Sequence, residues 1–129
     1  MPGCTTVTTS EQSAAVLRRW YDDMWAKKDF ALVPELAGPL YTRHETSGTR
    51  VISAEDYRDS LLALTDADIR DLRYHLIAEG DRVVAIGSWT FNGDQWDWVQ
   101  AFRVEGGKLV ETWLSGIGTT SNWATEVIH

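Results

Sequence analysis

A single cysteine, Cys4, stands in a chain of 129 residues, so no disulfide can form within it. It sits in a polar N-terminal stretch and reads as incidental rather than reactive. No apolar run approaches the roughly 20 residues that cross a bilayer. The start, MPGCTTVTTSEQ, has neither the basic end nor the apolar segment of a secretory signal, which makes the cytoplasm the expected compartment. Basic residues are scarce: 12 Lys and Arg against 19 Asp and Glu, for a formal net charge of −7. That balance argues against nucleic acid, whose phosphates select basic faces, and no Lys/Arg cluster is present to bind an anionic membrane. His44, His75 and His129 lack metal-ligand spacing, so no metal site is expected. No glycine-rich phosphate loop or GxSxG elbow occurs, and Gly116-Ile117-Gly118 lacks the context of a dinucleotide fingerprint, so no cofactor is expected either.

What the chain has in excess is tryptophan, with seven residues. Four of the seven, Trp89, Trp96, Trp98 and Trp113, fall within 25 residues. A buried indole fills a large volume and needs a partner for its N–H.

The length suits one domain, 1–129, with residues 1–10 and 119–129 peripheral. Residues 11–28 read as an amphipathic helix capped by Ser10, with Val16, Leu17, Trp20, Tyr21 and Met24 at helical spacing. Asp29 can cap a short helix over Phe30–Leu36, which Gly38-Pro39 ends. Leu40–Glu45 looks extended and is followed by a turn at Ser47-Gly48. Ser53-Ala54-Glu55-Asp56 resembles a capping box, opening a third helix with Tyr57, Leu61 and Leu64 on one face. The remainder is β-rich: Arg70–Ala78, Arg82–Phe91, Gln95–Val104 and Leu109–Gly116, separated by short turn signals. Helices first and an antiparallel meander after them make an α+β order, with helices on one face of a curved sheet.

A two-residue turn at Asn92-Gly93 pairs Trp89 with Trp96 and sets Gly87 opposite Trp98. A second at Gly106-Gly107 pairs Val104 with Leu109 and Gln100 with Trp113. Period-two alternation then puts Trp89, Trp96, Trp98, Gln100, Phe102 and Trp113 on one face, unless a bulge breaks the register. Two readings of that face stay open: the core between sheet and helices, or an aromatic pocket with a few polar groups. The same alternation sends Asp97 to the opposite, solvent face.

Three stretches carry a family resemblance. They are Leu40-Tyr41-Thr42-Arg43-His44-Glu45 with Gly48, Ala78-Glu79-Gly80-Asp81-Arg82-Val83-Val84, and Gly107-Lys108-Leu109-Val110-Glu111-Thr112-Trp113. In this order the chain, from about Glu11 to Gly116, resembles the nuclear transport factor 2-like superfamily, nearest its SnoaL-like polyketide cyclases and ketosteroid isomerases. The resemblance implies a cone-shaped α+β barrel, a curved antiparallel sheet wrapped around three N-terminal helices. It also implies a homodimer, for which Val84, Ile86, Val99, Ala101 and Val110 would supply the apolar outer face. It places Tyr21 and Gln100 at oxyanion-donor positions and His44 at the position of the proton-shuttling group. Two positions depart from the pattern: Gln100 has no proton to give, and Leu114-Ser115-Gly116 stands where SnoaL-like cyclases have an aspartate. The fold hosts many activities and does not choose among them.

Imidazole titrates near neutrality, which suits His44 to general acid/base work, although a strand histidine can equally be structural. Tyr21 can donate to a developing oxyanion or simply pack in the core. His75 could join His44 or face outward. Two functions therefore remain. One is a cofactor-independent enzyme performing isomerisation, dehydration or cyclisation on a hydrophobic ring-containing metabolite, with His44, Tyr21 and Gln100 in catalysis and Trp20, Trp89, Trp96, Trp98, Phe102, Trp113 and His75 around the ligand. The other is a non-catalytic binding or accessory protein using the same pocket.

Overall fold

Thr9, one residue before the expected Ser10, caps the first helix. Its hydroxyl accepts from the Gln12 N–H at 3.1 Å and the Gln12 side-chain oxygen accepts from the Thr9 N–H at 2.9 Å, a reciprocal capping box. The computed structural model describes residues 8–118, with side chains as far as Leu114, so Cys4, Trp123 and His129 lie outside the described residues. Helix α1 (Ser10–Arg19) continues as a π-helical segment (Trp20–Trp25), whose wider turn is closed by the Ala26 N–H on the Tyr21 carbonyl at 2.9 Å. That turn keeps Trp20, Tyr21, Met24 and Trp25 all on the buried side. A 3₁₀ turn (Phe30–Leu32) runs into the short α2 (Val33–Leu36), and Asp29 makes no capping bond there. Helix α3 (Ala54–Leu62) opens on Ser53, whose hydroxyl accepts from the Asp56 N–H at 3.1 Å.

Six strands follow the order β2-β1-β6-β5-β4-β3: β1 (Ala37–Glu45), β2 (Gly48–Ser53), β3 (Ile69–Glu79), β4 (Arg82–Phe91), β5 (Asp94–Glu105) and β6 (Lys108–Gly118). The architecture is α+β, with the helices against one face of the sheet. The expected antiparallel meander is β3 to β6. Two features add to it. β2, for which the sequence pattern marks no element beyond the Ser47-Gly48 turn, is an edge strand, and β1 runs parallel to β6, so the sheet is mixed. Ser10 and Ser13 tie α1 to the β3–β4 turn: Ser10 Oγ accepts from the Gly80 N–H at 2.8 Å and Ser13 Oγ donates to the Gly80 carbonyl at 2.7 Å.

Asn92 and Gly93 both adopt positive φ (50° and 91°), the conformation of a tight hairpin turn whose twist matches the strands. The pairing is therefore as the turn signal demands: Phe91 with Asp94, Trp89 with Trp96, Gly87 with Trp98. Gly87 is required by contact, since a Cβ there would lie 2.0 Å from the Trp98 ring. Across β5 and β6, Val104 pairs with Leu109 as expected, but the register then shifts, and Phe102 pairs with Thr112, Ala101 with Trp113 and Gln100 with Leu114. Val110 is the extra residue of a β-bulge. The residues from Glu111 to Leu114 take the face opposite to the one expected, so Trp113 lies on the outer side and not beside Gln100. Asp97 also departs from expectation: it is 1% exposed, accepts from Gln95 Nε2 at 3.2 Å, and its Oδ2 has no partner among the described residues.

Candidate functional site

Between the helices and the inner face of the sheet lies a cavity of about 470 Å³. The first helical stretch contributes Trp20, Tyr21 and Trp25, and α3 contributes Tyr57, Ser60 and Leu61. From the sheet come Trp89 and Phe91 on β4, Trp96, Trp98 and Gln100 on β5, and Leu114 on β6. Arg43 on β1 and Arg50 on β2 complete the wall. Eight of these fourteen residues are aromatic, and the rings brace one another. Tyr21 stacks on Trp98 at 5.2 Å, Trp89 meets Trp98 edge-on at 5.8 Å, Trp25 meets Trp89 edge-on at 5.1 Å, and Trp20 stacks on Tyr57 at 6.2 Å.

The polar groups on this wall are mostly donors. Tyr21 Oη, Trp98 Nε1 and Arg43 Nη1 are buried and have no hydrogen-bond partner among the described residues. Burial, reinforced by Tyr41, Tyr57 and Tyr74, pushes the Tyr21 hydroxyl well above its ordinary range and keeps it protonated. Gln100 gives one N–H to Thr112 Oγ1 at 2.8 Å, and Thr112 in turn donates to the Ala101 carbonyl at 2.9 Å. Part of its donor capacity is thus spent inside the sheet. Arg43 is only 9% exposed and lies over the Tyr57 ring at 4.7 Å. Its Nε donates to Glu45 Oε1 at 2.7 Å, and Arg50 Nε donates to the same oxygen at 3.2 Å. Burial opposes the Arg43 charge, but Tyr57, Tyr41 and Glu45 outweigh it and hold the guanidinium above its ordinary value.

Of the residues named from sequence, Trp20, Tyr21, Trp89, Trp96, Trp98 and Gln100 line the cavity. Phe102 is fully buried one layer below, in edge contact with Tyr21 at 6.3 Å. His44 and Trp113 are not on the cavity wall. They pair across β1 and β6 on the outer face, with their rings stacked at 5.2 Å. There His44 Nε2 bonds Glu111 Oε2 at 2.7 Å and Nδ1 bonds Thr49 Oγ1 at 2.9 Å, while Arg103 Nε donates to Glu111 Oε1 at 3.0 Å. The alternation of β1 runs from buried Tyr41 to Arg43, so Arg43 points inward and His44 outward. His75, opposite Ile86 on β3, is exposed on the same outer face. Sequence reasoning missed Arg43, Arg50, Trp25 and Tyr57 as wall residues. The signals available for them were the Tyr41-x-Arg43 spacing and the apolar face of α3. No carboxylate, imidazole or amine lines the cavity among the described residues. Nor do three or more His, Cys, Asp or Glu side chains gather there in a form that could hold a metal ion.

Residues 17–112 match the profile of the SnoaL-like domain. The chain belongs to the SnoaL-like domain family. Among solved structures, this SnoaL-like domain is similar to a proposed ketosteroid isomerase from Kribbella flavida (14% identity, TM-score 0.69, covering 95% of this chain and 91% of that one). It is also similar to an LEH-like epoxide hydrolase from Mycobacterium tuberculosis (15%, TM-score 0.68, covering 82% and 84%). A third is an NTF2-like protein of unknown function from Mesorhizobium loti (23%, TM-score 0.66, covering 83% and 93%). At these identities the likeness establishes the fold of the SnoaL-like domain and not its reaction. A search of curated proteins by sequence returned no significant match. No helix among the described residues of this SnoaL-like domain is long and apolar enough to cross a membrane.

Proposed function

We propose that the protein captures a hydrophobic, ring-containing small molecule in the aromatic cavity and acts as a binding or accessory protein. The single observation that carries this reading is the composition of the wall: eight aromatic side chains around 470 Å³, with no titratable acid or base of near-neutral pKa among the described lining residues. Stacked and edge-on indoles favour flat ring systems, and burial of apolar area supplies the affinity. Titration of the intrinsic tryptophan emission with polycyclic metabolites should give a saturable change, and Trp96→Ala should weaken it roughly tenfold. If no ring-containing compound perturbs the emission, the reading falls.

A catalytic version of the same site has one observation in its favour. The buried Tyr21 hydroxyl, protonated and without a partner among the described residues, could donate to a carbonyl oxygen as charge develops on it. His44 is not available as its base, because it faces the opposite side of the sheet; the ligand or a water would take the proton. Turnover that disappears in Tyr21→Phe while binding persists would support an isomerase, lyase or cyclase; turnover indifferent to that change would remove it. Val84, Ile86, Val99 and Ala101 stand partly exposed on the outer face, and we propose them as the self-association surface. Analytical ultracentrifugation should find a dimer that an Ile86→Lys change dissociates.

A further inference from the structure

Arg43 and Arg50 face each other directly across β1 and β2. Like charges in directly opposed strand positions repel, and an anion between them relieves that repulsion. Glu45 supplies one carboxylate, and a single oxygen of it serves both guanidinium groups, at 2.7 Å and 3.2 Å. Two positive charges therefore share one negative charge. Arg50 is largely in water, where solvent satisfies it; Arg43 is not, being 9% exposed. With Nε spent on Glu45, the Arg43 Nη1 is left buried and without a partner among the described residues, in a side chain that lines the cavity. An unfilled, buried guanidinium nitrogen is an expensive arrangement for a protein to keep unless something arrives to fill it. No acidic side chain on the cavity wall, among the described residues, can do so.

We infer that the ligand of this cavity is an organic monoanion: a ring system bearing one carboxylate, the rings held among the tryptophans and the carboxylate on Arg43, with Arg50 at the rim adding attraction. This rests on the proposal that the cavity binds a ring-containing molecule, and it narrows that molecule to a charged class. A carboxylate accepts a charge-assisted hydrogen bond from the unpartnered Nη1 more strongly than the oxygen of a neutral ester or amide does. Desolvation inside an aromatic wall strengthens the contact relative to a surface pair.

Isothermal titration calorimetry with 2-naphthoate and its neutral counterpart 2-naphthamide tests the inference on the full chain. We expect naphthoate to bind at least about tenfold more tightly than naphthamide. Arg43→Met should collapse that ratio to near unity, and Arg50→Met should reduce it less, since that side chain is solvated. Glu45→Gln keeps a hydrogen-bond acceptor for Arg43 but removes the competing charge, so it should strengthen naphthoate several-fold and leave the stack in place; it also serves should Arg43→Met not fold. Naphthamide binding as tightly as naphthoate would overturn the charged-ligand inference while leaving the aromatic pocket standing. So would a Glu45→Gln protein with unchanged or weakened naphthoate affinity. Failure of both probes to bind would overturn the pocket and the inference together.

Discussion

A methyl group added at Gly87 would stand 2.0 Å from the Trp98 ring, which Tyr21 stacks against and Trp89 meets edge-on. Gly87→Ala must therefore displace the indole or the strand. Overpacking of this kind costs about 1–3 kcal/mol, and differential scanning calorimetry should read it as a fall in Tm of roughly 4–12 °C. At the same scale, the roles of Arg43 and His44 depended on the phase of one strand. Thr42, Arg43, His44 and Glu45 are all polar, so their own pattern does not say which pair faces inward. Tyr41 does. A buried aromatic fixes the inward parity, and two residues on from it is Arg43. Gly87 was legible because a glycine opposite a tryptophan has one simple explanation.

Elements were legible where turn chemistry or periodicity was strong. Asn92-Gly93 set the β4–β5 register to the residue, which placed Trp89, Trp96 and Trp98 together. The β5–β6 register failed beyond Val104, because Val110 is an ordinary strand residue and nothing in its type announces a bulge. The edge strand β2 was hidden for a related reason: its exposed, mixed residues have no alternation to read. Helix α1 was legible in extent, but its cap was one residue early and its π segment, which turns Trp25 into the wall, has no sequence signature. The cap gives a prediction at this scale. Thr9→Ala removes the acceptor for the Gln12 N–H and should lower stability by about 1 kcal/mol. Urea unfolding should show a lower midpoint at constant m-value.

For the molecule as a whole, the α+β class and helix-then-meander order followed from element order alone. Its acid response follows from two carboxylates. Glu111 is held below the usual range by the His44 hydrogen bond, assisted by Arg103. Burial pushes the Glu45 carboxyl up, but Arg43 and Arg50 outweigh that and bring it below the usual range as well. Both groups thus bind protons less readily in the folded chain than in the unfolded one. Their stabilisation is complete above the ordinary glutamate value of about 4.3 and is lost as pH falls through the lower folded values. Thermal melts should accordingly be flat with respect to these groups near neutrality and fall on acidification below about pH 4. Glu111→Gln should flatten part of that limb; an unaltered limb in the variant would reject the assignment.

The bulge at Val110 also governs how chains of this kind can be aligned. Before it, position and face agree between strands; after it, each residue serves the side that its neighbour would otherwise serve. A chain with the same run in a regular β5–β6 register, its Val110 paired rather than bulged, would turn Glu111 and Trp113 toward the cavity and Thr112 away. It would acquire an acid on the inner wall and lose the partner of Gln100. Whether one residue is bulged or paired, a choice neutral in composition, thus separates a donor-lined chamber from one equipped with a carboxylate, and kinship in the strand motif does not by itself carry kinship in chemistry.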